Sequence, residues 1–265
     1  MKTNTFRVRA HGAMTFAVVW LFAGVATVGA GDPGEEARTL LQHSEQVLGN
    51  QSQPGKMRWQ TRVDRGVMLA HWEGWGDLTA DCVRHVKLPD KMKLDQDFSA
   101  YDHPFFFTYY YNAGEVWAVV NLGVRQHPRY TEQMTAAMRN NVDEMAYYLA
   151  ECDTFFVVPN IPDDSLFAGS TISRVGIVDN GDTILVDLDR KTTLPLRRIS
   201  DKGTAVTVMA DYREISGVWM PFRIDLYQDG VKTNEYMWKS ITFDEPVDDA
   251  VFEESRPPVK PASGG

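Results

Sequence analysis

The chain has 265 residues, of which 43% are hydrophobic and 11% aromatic, and its formal net charge is −9. This apolar and aromatic content excludes a mostly disordered chain. The acidic balance excludes a general nucleic-acid binder, which needs basic residues to displace counterions from phosphate. Two cysteines are too few for a disulfide scaffold or a cysteine-rich zinc module.

Residues 1–30 have the pattern of a secretory signal peptide. Lys2, Arg7 and Arg9 precede an apolar run from Ala13 to about Val28, and small residues follow where a signal peptidase would cut. An uncleaved membrane anchor is the alternative, although a run of about 16 to 18 residues is marginal for spanning a bilayer. We therefore expect an exported, periplasmic protein from which residues 1–30 are removed.

The first part of the remaining chain predicts one helix and then strands. Glu35 to Gly49 has apolar residues at helical spacing and a glycine that suits the helix end. Strict alternation of apolar and polar residues over 57–64, 68–73 and 91–98 predicts antiparallel strands with one buried face. Phe105 to Tyr111 is aromatic on both faces, and Glu115 to Asn121 is expected to be the next strand.

The second part predicts a helix from Tyr130 to Cys152, a loop from Asp153 to Ser165, and only strands and turns from Ser170 onward. Asn180-Gly181-Asp182 and Asp229-Gly230 are typical of tight hairpins. The tail 256–265 is rich in Pro, Ser and Gly and is expected to be disordered. No boundary interrupts the middle of the chain, so we expect a single domain over 31–255.

The sequence contains none of the common catalytic or phosphate-binding motifs. Its six histidines show no metal-ligand spacing, and its acidic pairs lie in turns or near the tail. We therefore predict no enzyme activity, no metal site and no cofactor. An enzyme that uses His71 or His85 as a base is a competing hypothesis.

The two cysteines, Cys82 and Cys152, allow two interpretations. A disulfide in the exported protein would close a loop of about 70 residues and stabilise the fold by about 4 kcal/mol. The alternative is two buried thiols.

A resemblance to a known family rests mainly on the C-terminal half. The stretch Gly181–Asp189 leads into Thr193–Arg198, and Asp211–Ile215, Gly217–Pro221 and Phe243–Phe252 follow; Leu88–Lys93 agrees in the first half. These segments resemble the outer-membrane lipoprotein-sorting proteins, the LolA-like family. The resemblance implies a mostly β fold with some α: an open, strongly bent antiparallel half-barrel covered by helices.

The resemblance also implies a periplasmic carrier or chaperone that binds acyl chains or lipoproteins in an apolar cavity and transfers them toward the outer membrane. An inner-membrane transporter and an outer-membrane receptor would be its partners. A sensor of envelope stress that detects lipidated ligands is the alternative function. The arginine that latches the lid in such carriers is not identified, and Arg58 and Arg62 are candidates.

A long methionine-rich helix suits a surface that repacks around a flexible ligand, although ordinary core packing would give the same pattern. We expect a ligand-binding cavity with a helical lid, formed by Trp59, Trp72, Met92, Leu94, Phe107, Tyr109, Met134, Met138 and Met145.

Overall fold

A computed structural model of the chain describes residues 32–48, 59–72, 74, 76–102, 104–121, 123–125, 144–159, 171–179, 181–200 and 203–254. The predicted signal peptide, the predicted tail, and Met134 and Met138 lie outside these ranges. Within them, no helix has the length and the apolar character that crossing a membrane requires.

The described part of the chain is mostly β-strand. The helices are α1 (Pro33–Val47), α2 (Glu144–Glu151) and a short 3-10 helix (Asp249–Phe252). The strands are β1 (Thr61–Trp72), β2 (Gly76–Lys87), β3 (Lys91–Asp97), β4 (Phe106–Asn112), β5 (Glu115–Val120), β6 (Gly123–Arg125), β7 (Thr154–Val158), β8 (Ile172–Asp179), β9 (Asp182–Asp189), β10 (Pro195–Ser200), β11 (Ala205–Ile215), β12 (Val218–Gln228) and β13 (Val231–Phe243).

All thirteen strands belong to one antiparallel sheet with the order β6-β5-β4-β3-β2-β1-β13-β12-β11-β10-β9-β8-β7. Strands β1 to β6 form one meander and β7 to β13 form another, and β1 pairs with β13 to join them. Strands β6 and β7 occupy opposite edges and do not pair with each other, so the sheet is open rather than closed. The expected mostly β, open antiparallel fold is confirmed.

Local sequence explains where α1 begins. The side chain of Asp32 accepts a hydrogen bond from the Gly34 backbone at 2.9 Å, and Pro33 occupies the first helical position, where its missing N–H has no cost. Glu35 and Glu36 lie in the first turn, where the helix dipole favours negative charge.

The predicted hairpins are confirmed. Asp229 and Gly230 join β12 to β13 with φ angles of 52° and 77°, and Gly181 has φ 86° between β8 and β9. Two successive residues with positive φ make a turn whose twist matches that of the paired strands, which is why Asp-Gly is favoured there.

The structure differs from the sequence predictions at β1, β2 and β7. Residues 61–64 and 68–72, from two strands that the sequence predicts separately, belong to one strand, β1, whose pairing with β13 shifts between Arg65 and Gly66. Strand β2 was not predicted, because alanine, cysteine and arginine fill several of its buried positions. The predicted loop 153–165 was wrong over Thr154–Val158, since this apolar run pairs with β8 as β7.

Cross-strand partners show which residues share a face. One row of directly opposed partners crosses β8 to β11 through Val175, Val186, Arg198 and Thr207. The same row continues across β12, β13, β1 and β2 through Leu226, Asn234, Ala70 and Leu78. Because partners directly opposite each other point to the same side of a sheet, this row defines one face, which we call the inner face.

Helices α1 and α2 cover the inner face at the β7 end. Ala37 and Leu41 of α1 pack with Met145 and Tyr148 of α2 against Val175 and Val186 of the sheet. We call these residues, with Cys152, Phe155, Ile177, Ile184 and Leu188, the helical cluster.

The two cysteines lie in different clusters. Cys152 belongs to the helical cluster, whereas Cys82 on β2 packs with Met68 and Phe98. Both are buried thiols that are not joined in a disulfide. The structure therefore agrees with the second interpretation of these residues.

Candidate functional site

The other half of the inner face is lined with aromatic rings. Alternation along β1, β3, β4 and β13 places one set of large side chains on this side of the sheet. We call it the aromatic face: Trp59, Trp72, Phe98, Phe105, Phe107, Tyr109, Tyr236, Trp238 and Phe243. These rings form two clusters that share Met220 and Phe243, so the aromatic face is continuous.

The rings are held in place by contacts with one another. Trp72 lies 5.5 Å from Phe98 and 5.8 Å from Phe107, measured between ring centroids, and Phe98 stacks on Phe105 at 4.4 Å. Phe107 and Tyr109 lie 6.3 Å apart and are nearly parallel. Such pairs add about 0.5 to 1.5 kcal/mol each beyond area burial, so contacts between the rings stabilise the aromatic face.

Many of these rings are only half-buried. Trp72, Phe105, Phe107 and Tyr109 each keep part of their surface accessible, whereas the floor beneath them is closed. That floor consists of small residues, Gly66, Ala70, Ala80 and Cys82, of which each is buried. Accessible apolar surface above a packed floor can receive a hydrocarbon chain without disrupting the sheet.

Six of the predicted site residues lie together on the aromatic side of the inner face. Leu94 on β3 lies directly opposite Tyr109 on β4, and the same register places Met92 and Phe107 on the same face of the sheet. Trp59 and Met92 are fully buried and therefore serve the core, while Trp72, Leu94, Phe107 and Tyr109 keep accessible surface.

The predicted placement of Met145 opposite these residues was wrong. Met145 is buried in the helical cluster, because α2 packs on α1 and β8 instead. Met134 and Met138, the remaining predicted lid residues, lie outside the described ranges, so the lid stays a prediction.

A buried ionic cluster also lies on the inner face, and sequence reasoning missed it. The fully buried carboxylate of Asp64 accepts a hydrogen bond from Arg84 Nε at 2.6 Å and lies 3.2 Å from Arg62 Nε. The guanidinium of Arg62 lies 5.2 Å from the Trp59 ring centroid, and that of Arg84 lies 4.6 Å from the Trp238 ring centroid. In the predicted alternation of 57–64, Arg62 and Asp64 occupy the polar, exposed positions, so the sequence pattern gave no signal for their burial.

Burial is the main cause that lowers the pKa of Arg62 to about 10; the attraction of Asp64 opposes this shift, and the positive charge of Arg84 adds a smaller lowering. Arg62 is thus held by Asp64 within the core. Arg58, the other latch candidate, lies outside the described residues.

The opposite face is covered near β3 to β5 by the chain after β13. Phe252 is buried there, Lys93 Nζ donates to Glu254 at 2.8 Å, and the indole of Trp117 donates to the Glu254 carbonyl at 3.3 Å. The inner face is therefore the side of this region on which large apolar surface remains accessible.

The two histidines proposed as bases do not form a shared site. His71 Nδ1 lies 2.7 Å from Asp77 Oδ1 at one end of the β1–β2 pair, and His85 lies toward the other end. Burial lowers the pKa of His85. Among the described residues, no group of three or more His, Cys, Asp or Glu side chains could hold a metal ion.

Solved structures share this fold at low sequence identity. A DUF1329 family protein from Desulfovibrio piger matches with a TM-score of 0.58 at 15% identity, covering 85% of this chain and 99% of its own. An outer membrane lipoprotein-sorting protein domain from Vibrio parahaemolyticus matches with a TM-score of 0.51 at 13% identity, covering 82% and 97%. A LolA superfamily protein from Nitrosomonas europaea matches with a TM-score of 0.53 at 8% identity, covering 82% and 96%.

No protein-family model matches the sequence, and no curated protein matches it. The structural matches confirm the LolA-like fold.

Proposed function

From this LolA-like fold, we propose that the protein binds hydrocarbon chains of lipids or lipoproteins on the aromatic face and carries them toward the outer membrane without catalysing a reaction. The observation that supports the proposal is the continuous row of half-buried rings, Trp72, Phe105, Phe107 and Tyr109, above a closed floor. The similar domain from Vibrio parahaemolyticus, which is named for lipoprotein sorting, agrees with it.

The energetics of chain burial favour an open site. Each methylene removed from water contributes about 0.8 kcal/mol, so full burial of a sixteen-carbon chain would contribute up to roughly 12 kcal/mol. A carrier that buried a chain completely would release it slowly. An open sheet with half-buried rings covers the chain only in part, which allows both capture and release.

Binding is tested with a fluorescent fatty-acid probe and a matched pair of variants. Leu94 is half-buried on the inner face, and Leu69 is half-buried on the opposite face of the same sheet. We expect Leu94→Gln to weaken probe binding by about tenfold, because a polar amide replaces apolar contact surface. Leu69→Gln should leave binding unchanged.

The proposal fails if the wild-type protein binds no apolar probe and native mass spectrometry of protein purified from cells shows no bound lipid. Equal loss of binding in both leucine variants would also contradict it, since the loss would then follow from destabilisation rather than from the site.

Periplasmic location and the partners are part of the same proposal. The basic, apolar and small-residue pattern of 1–30 supports export with cleavage. Mass spectrometry of the purified N-terminus should find it after residue 30, and an intact Met1 would contradict cleavage. Crosslinking in cells should capture an inner-membrane transporter or an outer-membrane receptor, whereas a transmembrane regulator alone would indicate sensing instead.

A further inference from the structure

An exposed ion pair lies on the inner face, within an otherwise uncharged stretch of β11 and β12. Asp211 and Arg213 alternate with the outward-facing Tyr212, and the register that places Thr207 on the inner face runs unchanged past both of them. The structure describes these two strands throughout, and their other inner-facing residues are uncharged and mostly apolar. Along β11 and β12, the pair is therefore the one charged position on the inner face.

The pair is open to solvent and adjoins the aromatic face. The side chains of Arg213 and Asp211 are 53% and 49% exposed. The guanidinium of Arg213 lies 4.1 Å from the ring centroid of Phe222, which packs in the same cluster as Trp72 and Tyr236 of the aromatic face. The end group of a ligand can therefore reach the pair from solvent while its chain lies on the rings.

Both members of the pair keep hydrogen-bonding capacity. Arg213 donates to Asp211 through Nε at 3.2 Å and through Nη2 at 2.6 Å, which uses two of its five N–H groups. Each carboxylate oxygen of Asp211 accepts one of these bonds and has a lone pair left. The same hydrogen bonds raise the pKa of Arg213 and lower the pKa of Asp211, so both groups are charged at neutral pH.

An ion pair favours an end group that carries both charges. A purely anionic end is attracted by Arg213 and repelled by Asp211, and a purely cationic end meets the reverse, so the two effects largely cancel. A zwitterionic end can place its anion beside Arg213 and its cation beside Asp211 without breaking the pair. The half-buried apolar side chains next to the pair, Met209, Met220 and Ile224, suit the point at which a polar end joins a hydrocarbon chain.

We infer that the ligand on the aromatic face is a zwitterionic amphiphile, such as a lipid with a phosphoethanolamine end group, whose phosphate accepts hydrogen bonds from Arg213 and whose ammonium donates to Asp211. The hydrocarbon chain leads past Phe222 onto the aromatic face. This inference rests on the proposed function, since a chain must bind for its end group to be held at the pair.

The first test compares three probes that share a sixteen-carbon acyl chain on glycerol, each below its critical micelle concentration. They are monopalmitoylglycerol, which is neutral, palmitoyl lysophosphatidate, which is anionic, and palmitoyl lysophosphatidylethanolamine, which is zwitterionic. The wild-type protein should bind the zwitterionic probe about fivefold more tightly than either of the others, because contacts with exposed charges contribute modestly. Free glycerophosphoethanolamine, which lacks the chain, should bind far more weakly, and equal affinity would overturn the inferred amphiphile.

Two single variants should change this preference in different ways. Asp211→Asn removes the partner of the ammonium, so the zwitterionic probe should lose its advantage over the anionic one. Arg213→Gln leaves Asp211 to repel phosphate, so both phosphate-containing probes should bind no better than the neutral probe. Destabilisation of the protein does not produce these two patterns, since it weakens all three probes together.

Arg223→Gln is the matched control. Arg223 donates to Asp225, two residues further along β12, through the same two nitrogens that Arg213 uses toward Asp211. Its side chain is 45% exposed, but it lies on the opposite face of the sheet. This variant should keep the wild-type preference.

The outcomes separate this inference from the proposed function. If no probe binds, both fail. If the wild type binds the three probes equally, if Asp211→Asn or Arg213→Gln keeps the wild-type preference, or if Arg223→Gln loses it, the end-group inference is overturned and the proposed binding of chains stands.

Discussion

Replacement of Asp64 by asparagine should be among the most destabilising conservative changes in the sheet. The carboxylate is fully buried and is held within 3.2 Å of Arg62 and 2.6 Å of Arg84. Asparagine keeps the shape but removes the charge, so two buried guanidinium groups lose their shared counterion. Breaking a buried ion pair by neutralising one partner costs about 3 to 5 kcal/mol.

The expected loss can be measured by thermal unfolding. For a chain of this size, each kcal/mol shifts Tm by about 2 to 4 °C, so Asp64→Asn should lower Tm by roughly 6 to 20 °C. Asp211→Asn is the matched control, because Asp211 pairs with Arg213 at the surface, where both side chains are about half exposed. An exposed pair contributes about 0 to 1 kcal/mol, so this control should shift Tm by at most a few degrees.

The comparison can refute the reasoning. If Asp64→Asn is as mild as Asp211→Asn, the stability of the buried cluster does not depend on the charge of Asp64. Guanidinium chloride unfolding should give the same order of stability as heating, and a change in its m-value would reveal an altered denatured state instead.

Two further predictions concern titratable groups. Burial raises the pKa of the Cys82 thiol to about 12, so a thiol reagent at pH 8 should not modify Cys82 in the folded protein. After unfolding without a reductant, the same reagent should modify two thiols, Cys82 and Cys152. Modification of one thiol or of none would contradict this and support a disulfide. Hydrogen bonds from Arg65 and Thr242 lower the pKa of Glu245 to about 2, against 4.5 for the ordinary group. Its contribution to stability is present above about 4.5 and is lost as pH falls toward 2, so Tm of the wild type should fall more steeply over that interval than Tm of Glu245→Gln.

Sequence reasoning succeeded where a signal is local. The hairpin at Asp229-Gly230 needs two positive φ angles, and the alternation in β3 and β4 places Leu94 and Tyr109 on one face. It failed for β2, where small and charged residues are buried because large rings from other strands cover them. Burial of that kind depends on neighbours that are distant in sequence, so no local pattern reveals it.

The pairing of β1 with β13 explains why the candidate site has no short motif. Met68 lies opposite Tyr236 across this pair, and Gly66 lies opposite Trp238, although about 170 residues separate the two strands in the sequence. The aromatic rings of the first meander therefore meet Tyr236 and Trp238 of the second only when both meanders have folded and joined. A ligand that contacts both would bind the native sheet and not its separate halves, so binding should stabilise the β1–β13 pair in particular. Amide hydrogen exchange with and without hexadecanoate should show the greatest added protection in these two strands, and protection confined to either meander alone would contradict a site that spans the join.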